Sequence, residues 1–224
     1  MRGDRISIKH MPQAPEKREW ELWNSPQIVD TLKKEWTERA SAKERELFYG
    51  EIRALKSSGS TLLDFGCGIG HDAPEFVRQG WTYTGVDRTD AMLAVARRDH
   101  PELTFQKEDL FNAALPDNSF DFVVSNDVLV HLPDHIVPLQ TLYRVARKYV
   151  VVKLCYLTEK RFGLFYPPHR IERDPQGFVL RYFNPRAFVR EINQILHPIS
   201  VRAVIQPRVN TTDGHHGVFV IRKE

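Results

Sequence analysis

Between residues 61 and 155 the chain alternates short apolar runs with helical patterns, and this rhythm leaves few folds open. The runs are TLLDF (61–65), WTYTGVD (81–87), LTFQKED (103–109), FDFVVSN (120–126) and YVVVKLC (149–155). Between them, helical spacing covers about 72–79, DAMLAVARRD (90–99) and about 133–147. Strands apolar on both faces, each followed by a helix, predict a parallel sheet covered on both sides. After Cys155 the rhythm breaks and resumes with NPRAFVREINQILHP (184–198), where Asn184 caps a helix, Pro185 takes its first turn and Pro198 stops it. Two last strands, ISVRAVI (199–205) and GVFVIRK (217–223), have no crossover helix between them, which predicts an antiparallel edge. PRVNTTDGHHG between them reads as a long hairpin connection.

Ahead of the sheet lie two helical patterns. One starts at Pro26 and carries Ile28, Val29, Leu32 and Trp36; the other spans about 42–56. The expected organisation is an N-terminal helical cap over 1–45 and an α/β domain over 46–224, interrupted by an insertion at about 156–183. Hydrophobic residues make up 42% of 224 residues and charged residues 27%, with a formal net charge of +3. That balance suits a soluble globular chain and is too mildly basic to demand nucleic acid. The charged start MRGDRISIKH lacks the apolar core of a secretory signal, and no run approaches the roughly 18 apolar residues of a membrane span. Two cysteines, Cys67 and Cys155, fit a reducing cytoplasm. About 10 Å is expected between them, too far for a disulfide.

The chemistry concentrates in LLDFGCGIGHDA (62–73), a glycine turn between a strand and a helix N-terminus. A dinucleotide fingerprint reads G-x-G-x-x-G. Here Gly66, Gly68 and Gly70 give G-x-G-x-G, so the third glycine falls one residue short. Asp64 stands just before the turn, and Asp87 ends the next strand, placed to accept both hydroxyls of a ribose. Glu108 and Asp109 follow the third strand and can accept from an adenine amino group. The turn holds no lysine for a phosphate. Acids for a ribose and an amine, without a phosphate partner, describe an adenosine with a cationic amino-acid tail.

Together LLDFGCGIG (62–70), YTGVDRTDAML (83–93), FQKEDL (105–110), LPDNSFDFVVSNDVLVHLPD (115–134) and the strand from Tyr149 resemble the class I S-adenosylmethionine-dependent methyltransferases. The resemblance covers roughly 43–224. It implies a Rossmann-like, seven-stranded, mostly parallel sheet with an antiparallel last strand and helices on both faces. It also implies S-adenosylmethionine as cofactor, with S-adenosylhomocysteine as product. By the same resemblance Asp64, Gly66 and Gly70 hold the methionine end, with Cys67 and Gly68 in the same turn. Asp87 clamps the ribose, Arg88 and Met92 flank the adenine, Asp109 beside Glu108 accepts its amino group, and the Leu110 amide meets a ring nitrogen. Asn126, followed by Asp127, offers a carbonyl to the ammonium. The family often carries L-R-P-G-G before strand five; RVARKYVVV stands there instead, so a tighter turn is expected.

On the acceptor side, His131 follows strand four and is the candidate general base, with a pocket-shaping role as the alternative. Trp23 and Arg39 from the N-terminal region, and Tyr166, Arg170, Arg173 and Arg181 from the 156–183 break, are candidate acceptor contacts. Their mixture of aromatics and arginines suits a flat or anionic small molecule, although a plain amphipathic cover reads the same way. Cys67 reads as a small buried residue and Cys155 lacks the second cysteine that RNA cytosine methyltransferases use. His215 and His216 have no further ligand spaced near them, so no metal is expected. The reading is a cytoplasmic enzyme, monomer or homodimer, moving a methyl group to an oxygen or nitrogen. A nicotinamide oxidoreductase, an RNA or protein methyltransferase and a non-catalytic cofactor-binding module are the rivals.

Overall fold

A computed structural model describes residues 22–39, 42–156, 169–173, 178–205 and 215–223. The described elements are α1 (Pro26–Arg39), α2 (Ala42–Leu55), β1 (Thr61–Phe65), α3 (Ala73–Arg78), β2 (Thr82–Asp87), α4 (Asp90–Asp99), β3 (Thr104–Lys107) and β4 (Phe120–Asn126). A 3-10 turn (Leu129–His131) follows, then α5 (Ile136–Val145), β5 (Ala146–Tyr156), β6 (His169–Arg173), β7 (Val179–Phe183), α6 (Pro185–Leu196), β8 (Ser200–Ile205) and β9 (His215–Arg222).

The sheet runs β3-β2-β1-β4-β5, all parallel. β9 pairs antiparallel with β5 along eight residues, and β8 pairs antiparallel with β9. These seven strands are the covered parallel sheet that the rhythm predicts and the Rossmann-like arrangement that the resemblance implies, with its antiparallel last strand. The 156–183 break adds two strands: β6 and β7 form an antiparallel hairpin, and β7 touches the end of β5 through Tyr156 and Phe183. α5 passes straight into β5 with no intervening loop, which is the tighter turn expected of RVARK.

Alternation along the strands builds two cores. Leu63, Val123, Val150, Val152, Phe219 and Ile221 face α5 and α6, which present Leu139, Leu142, Phe188 and Ile192. Their neighbours Leu62, Phe122, Val124, Val151, Val218 and Val220 face the opposite way, onto Phe48 and Ile52 of α2, Phe76 of α3 and Leu93 of α4. A period of two therefore feeds both faces, as a covered sheet requires. α2 runs across the expected boundary at 45/46 and is part of this core, with Ile52 fully buried. α1 lies against α4: Val29 packs with Ile69, Met92 and Val95, and the Asn24 side chain accepts the Ala91 amide at 3.2 Å.

Caps follow the sequence at α6, where Asn184 accepts from the amides of Arg186 and Ala187, and His197 leaves the helix at φ +47. At α3 the cap position is filled without a cap bond. Asp72 precedes the helix but makes no side-chain cap bond, because its carboxylate is taken from elsewhere in the site.

Candidate active site

At the carboxyl ends of β1, β2 and β4, beside β5, a pocket of about 330 Å³ opens. Neighbouring strands leave for opposite faces between β1 and β4, which is where open parallel sheets hold ligands. The glycine turn forms its floor. Gly66 sits at φ +84, and a Cβ there would come 2.3 Å from the Val128 side chain, so no larger residue fits. The Gly68 amide donates to Asp87 Oδ2 at 3.0 Å, and the Thr89 amide donates to Asp87 Oδ1 at 2.8 Å. A carboxylate accepts about four hydrogen bonds. Two amides thus fix the orientation of Asp87 and leave lone pairs for a diol. Burial pushes its carboxyl above the usual range, partly offset by those amides.

Met92 and Leu110 line the adjoining slot, with Arg88, Glu108 and Asp109 at its rim. Arg88 pairs with Asp109 at 3.1 Å, and Asp109 also accepts the Phe111 amide. Glu108 accepts the Ala114 amide at 3.0 Å, which ties the loop after β3. Cys67, Asn126 and Asp127 complete this side of the wall.

Residues 63–152 match the methyltransferase domain family. In sequence this segment is similar to S-adenosylmethionine-dependent methyltransferases, and the sheet around it shares their fold. A trans-aconitate 2-methyltransferase from Azoarcus sp. is 31% identical over 128 residues, covering 56% of this chain and 48% of that enzyme. The chain spans less than half the length of the curated relatives it matches. Among solved structures, the 1,6-didemethyltoxoflavin-N1-methyltransferase of Burkholderia thailandensis superposes with a TM-score of 0.67 at 19% identity, covering 98% of each chain. The cyclase SpnF superposes with a TM-score of 0.64 at 18% identity, covering 83% of each. At such identities the likeness is one of fold.

Two cofactor candidates of the methyltransferase domain stand off the pocket wall. Asp64 is 2% exposed and lies beneath the turn, where Oδ2 accepts the Tyr83 hydroxyl at 3.0 Å. Burial and the neighbouring Asp72 raise its carboxyl well above the ordinary range. Gly70, at φ +75, faces Phe105 and His100, so it lets the turn close on β3.

Around the candidate base, residues from three segments meet. Trp23 packs edge-on to His131 with centroids 5.1 Å apart, and against Phe178 at 4.5 Å. His131 Nδ1 lies 2.9 Å from the Val179 carbonyl oxygen. That oxygen can only accept, so Nδ1 carries a proton.

The arginines behave differently from the expectation. Arg181 is 2% exposed and donates to the carbonyls of Leu132 and Pro133, locking β7 onto the loop after β4. It is a structural clamp, out of reach of an acceptor. Arg170 and Arg173 sit on β6, the outer strand of the hairpin, where both are exposed and Arg170 pairs with Glu172 at 2.9 Å. Neither lines the pocket. Tyr166 and the side chain of Arg39 lie outside the described residues.

Sequence reasoning missed a polar belt across the pocket. Tyr49 of α2 donates to Asp72 at 2.6 Å, and Asn126 Nδ2 donates to the other Asp72 oxygen at 2.8 Å. Lys153 Nζ donates to Asn126 Oδ1 at 3.1 Å and to Asp127 Oδ2. Burial pulls Lys153 down, but Asp127 outweighs it and the ammonium stays charged. Burial would raise Asp127, yet Lys153 and His216 hold it well below the usual carboxylate range. One signal was available: Lys153 is a lone cation inside YVVVKLC, and a charge in a strand buried on both faces demands a partner.

His216 closes the belt. The expected loop ends earlier than the sequence suggests, because His215 and His216 open β9. Pairing places His216 directly across from Cys155. Burial lowers the imidazole, but Asp127 and Cys155 beside it prevail and raise it to about 10. Cys67 and Cys155 are both free thiols.

Proposed function

We propose that this domain binds S-adenosylmethionine and moves its methyl group to an oxygen or nitrogen of a small-molecule acceptor. The observation that carries the reading is one pocket with two chemistries. Asp87, fixed by two amides, lines it together with Trp23, His131, Lys153 and His216.

The residues present fit the cofactor. Asp87 accepts the ribose hydroxyls with its remaining lone pairs. Arg88 and Met92 flank the adenine, Asp109 accepts its amino group, and the Leu110 amide meets a ring nitrogen. Cys67, Gly68 and Asn126, with the carboxylates of Asp72 and Asp127, face the cationic tail. When bound, the cofactor supplies a methyl group already activated on a sulfonium. The chain's own task is alignment and exclusion of water. Trp23, Phe48, Val128 and Leu132 provide the apolar cover. The Val179 carbonyl fixes the ring of His131 through Nδ1, which orients it to take a proton from an acceptor hydroxyl or amine. Lys153, which stays charged, favours an acceptor carrying a carboxylate or other anion.

No helix among the described residues is long and apolar enough to cross a membrane. A second reading keeps the site but not the transfer, and the fold likeness to SpnF, described as a cyclase, supports it.

The test is a labelled-methyl transfer screen with pooled metabolites, RNA and protein fractions as separate acceptors. The proposal expects label in a small molecule, and label in RNA or protein alone would move the acceptor class. With an acceptor in hand, His131→Ala should lower turnover about 100-fold or more while cofactor affinity holds. Unchanged turnover would leave His131 as pocket wall.

A further inference from the structure

Folding gathers three ligand-bearing side chains that lie far apart in sequence. Asp127 follows β4, Cys155 is near the end of β5, and His216 is near the start of β9. One ligand atom from each lies within 4.8 Å of the other two. His216 Nδ1 is 3.6 Å from Asp127 Oδ1 and 3.8 Å from Cys155 Sγ. Zinc bonds of about 2.0 Å to nitrogen or oxygen and about 2.3 Å to sulfur give tetrahedral edges of about 3.3 Å between nitrogen and oxygen and about 3.5 Å to sulfur, so each of these two separations would close by about 0.3 Å around the ion.

A nucleophilic relay does not explain this arrangement. A relay needs the base to face the thiol with one ring nitrogen and the carboxylate with the other. Here the thiol and the carboxylate both address Nδ1. Convergence of an oxygen, a sulfur and a nitrogen on one space is what a cation needs. A second observation points the same way. Among the described residues Asp127 Oδ1 is a buried oxygen with no hydrogen-bond partner, while Oδ2 is held by Lys153.

We propose that Asp127, Cys155 and His216 form a zinc site whose fourth position faces the pocket. The mixed oxygen, sulfur and nitrogen set suits a borderline-soft divalent ion rather than calcium or magnesium. Lys153 acts as the outer partner that orients the carboxylate. Asp127 and His216 line the pocket, so the fourth position is open to a water or to a donor atom of a bound molecule. The site's existence is independent of methyl transfer; only a role toward the acceptor rests on that reading.

The experiment uses the full chain, stripped with a chelator and without cofactor. Zinc is titrated in competition with a chromophoric chelator, and cobalt(II) is added separately as a spectroscopic probe. One zinc per chain is expected, with an intense tetrahedral cobalt spectrum and a thiolate-to-cobalt band. Cys155→Ser and His216→Gln should each weaken zinc by more than the roughly 10- to 100-fold that loss of an outer partner costs. Cys67→Ser should bind as the parent does. Absence of zinc binding, or binding that survives both ligand substitutions, overturns the site. If a variant fails to fold, the parent's cobalt spectrum decides alone: an octahedral spectrum without the thiolate band refutes it.

Discussion

Asp87 shows how a single acid is held in one orientation. Its position at the end of β2 was legible from the sequence, but its geometry was not. The amides of Gly68 and Thr89 hold the carboxylate from two sides. Asp87→Asn keeps the shape and replaces one acceptor oxygen with a donor. One lost charge-assisted bond is worth about 1.5–3 kcal/mol, so cofactor affinity should fall roughly 10- to 100-fold. Calorimetric titration checks this, and parental affinity in the variant would falsify the ribose assignment. The neighbouring Asp64 was equally visible in the sequence but lies a layer lower, bonded to Tyr83. Position relative to a glycine turn does not reveal which side of the turn a carboxylate ends on.

The β6–β7 hairpin carries the largest difference between sequence and structure. The 156–183 break reads as an aromatic and basic cover, and its arginines read as acceptor contacts. Period two was present in VLRYF, where Val179, Arg181 and Phe183 share the buried side. An arginine on that side looks like an exposed cation until its carbonyl partners are known. Arg181→Ala leaves the Leu132 and Pro133 carbonyls without their donor and should cost about 2–4 kcal/mol of stability. Denaturant unfolding measures it, and a loss below 0.5 kcal/mol, the scale of an ordinary surface change, would contradict the clamp. His169 on β6 adds a pH dependence. Burial, with Arg181 and His135 beside it, lowers its imidazole from 6.5 to about 4, against the opposite pull of Glu191 and Asp134. The unfolded chain therefore takes up this proton first as the medium acidifies. The stabilisation is complete above about pH 6.5 and is lost as pH falls from there through 4. Thermal unfolding of the parent and of His169→Gln across that window should show a steeper acid loss in the parent. Parallel profiles would place His169 in contact with solvent.

At the scale of the whole molecule, the sheet and its ligand edge were readable because period two and helical spacing are local signals. The places of Gly66, Gly68, Asp87 and Asp109 in the pocket wall were readable for the same reason: each sits at or just after a strand end. The belt from Tyr49 through Asp72, Asn126, Lys153 and Asp127 to His216 was not. It joins α2, the glycine turn, β4, β5 and β9, and only the strand order brings them together. The account's central claim is that this pocket selects an adenosine with a cationic amino-acid tail over a dinucleotide. Isothermal titration of the parent with S-adenosylmethionine, S-adenosylhomocysteine and nicotinamide dinucleotides tests it most directly. The account predicts a single site per chain for the first two ligands, sharply weakened in Asp87→Asn, and no heat from the dinucleotides. Saturable dinucleotide binding, or no binding of either sulfur ligand, would contradict it.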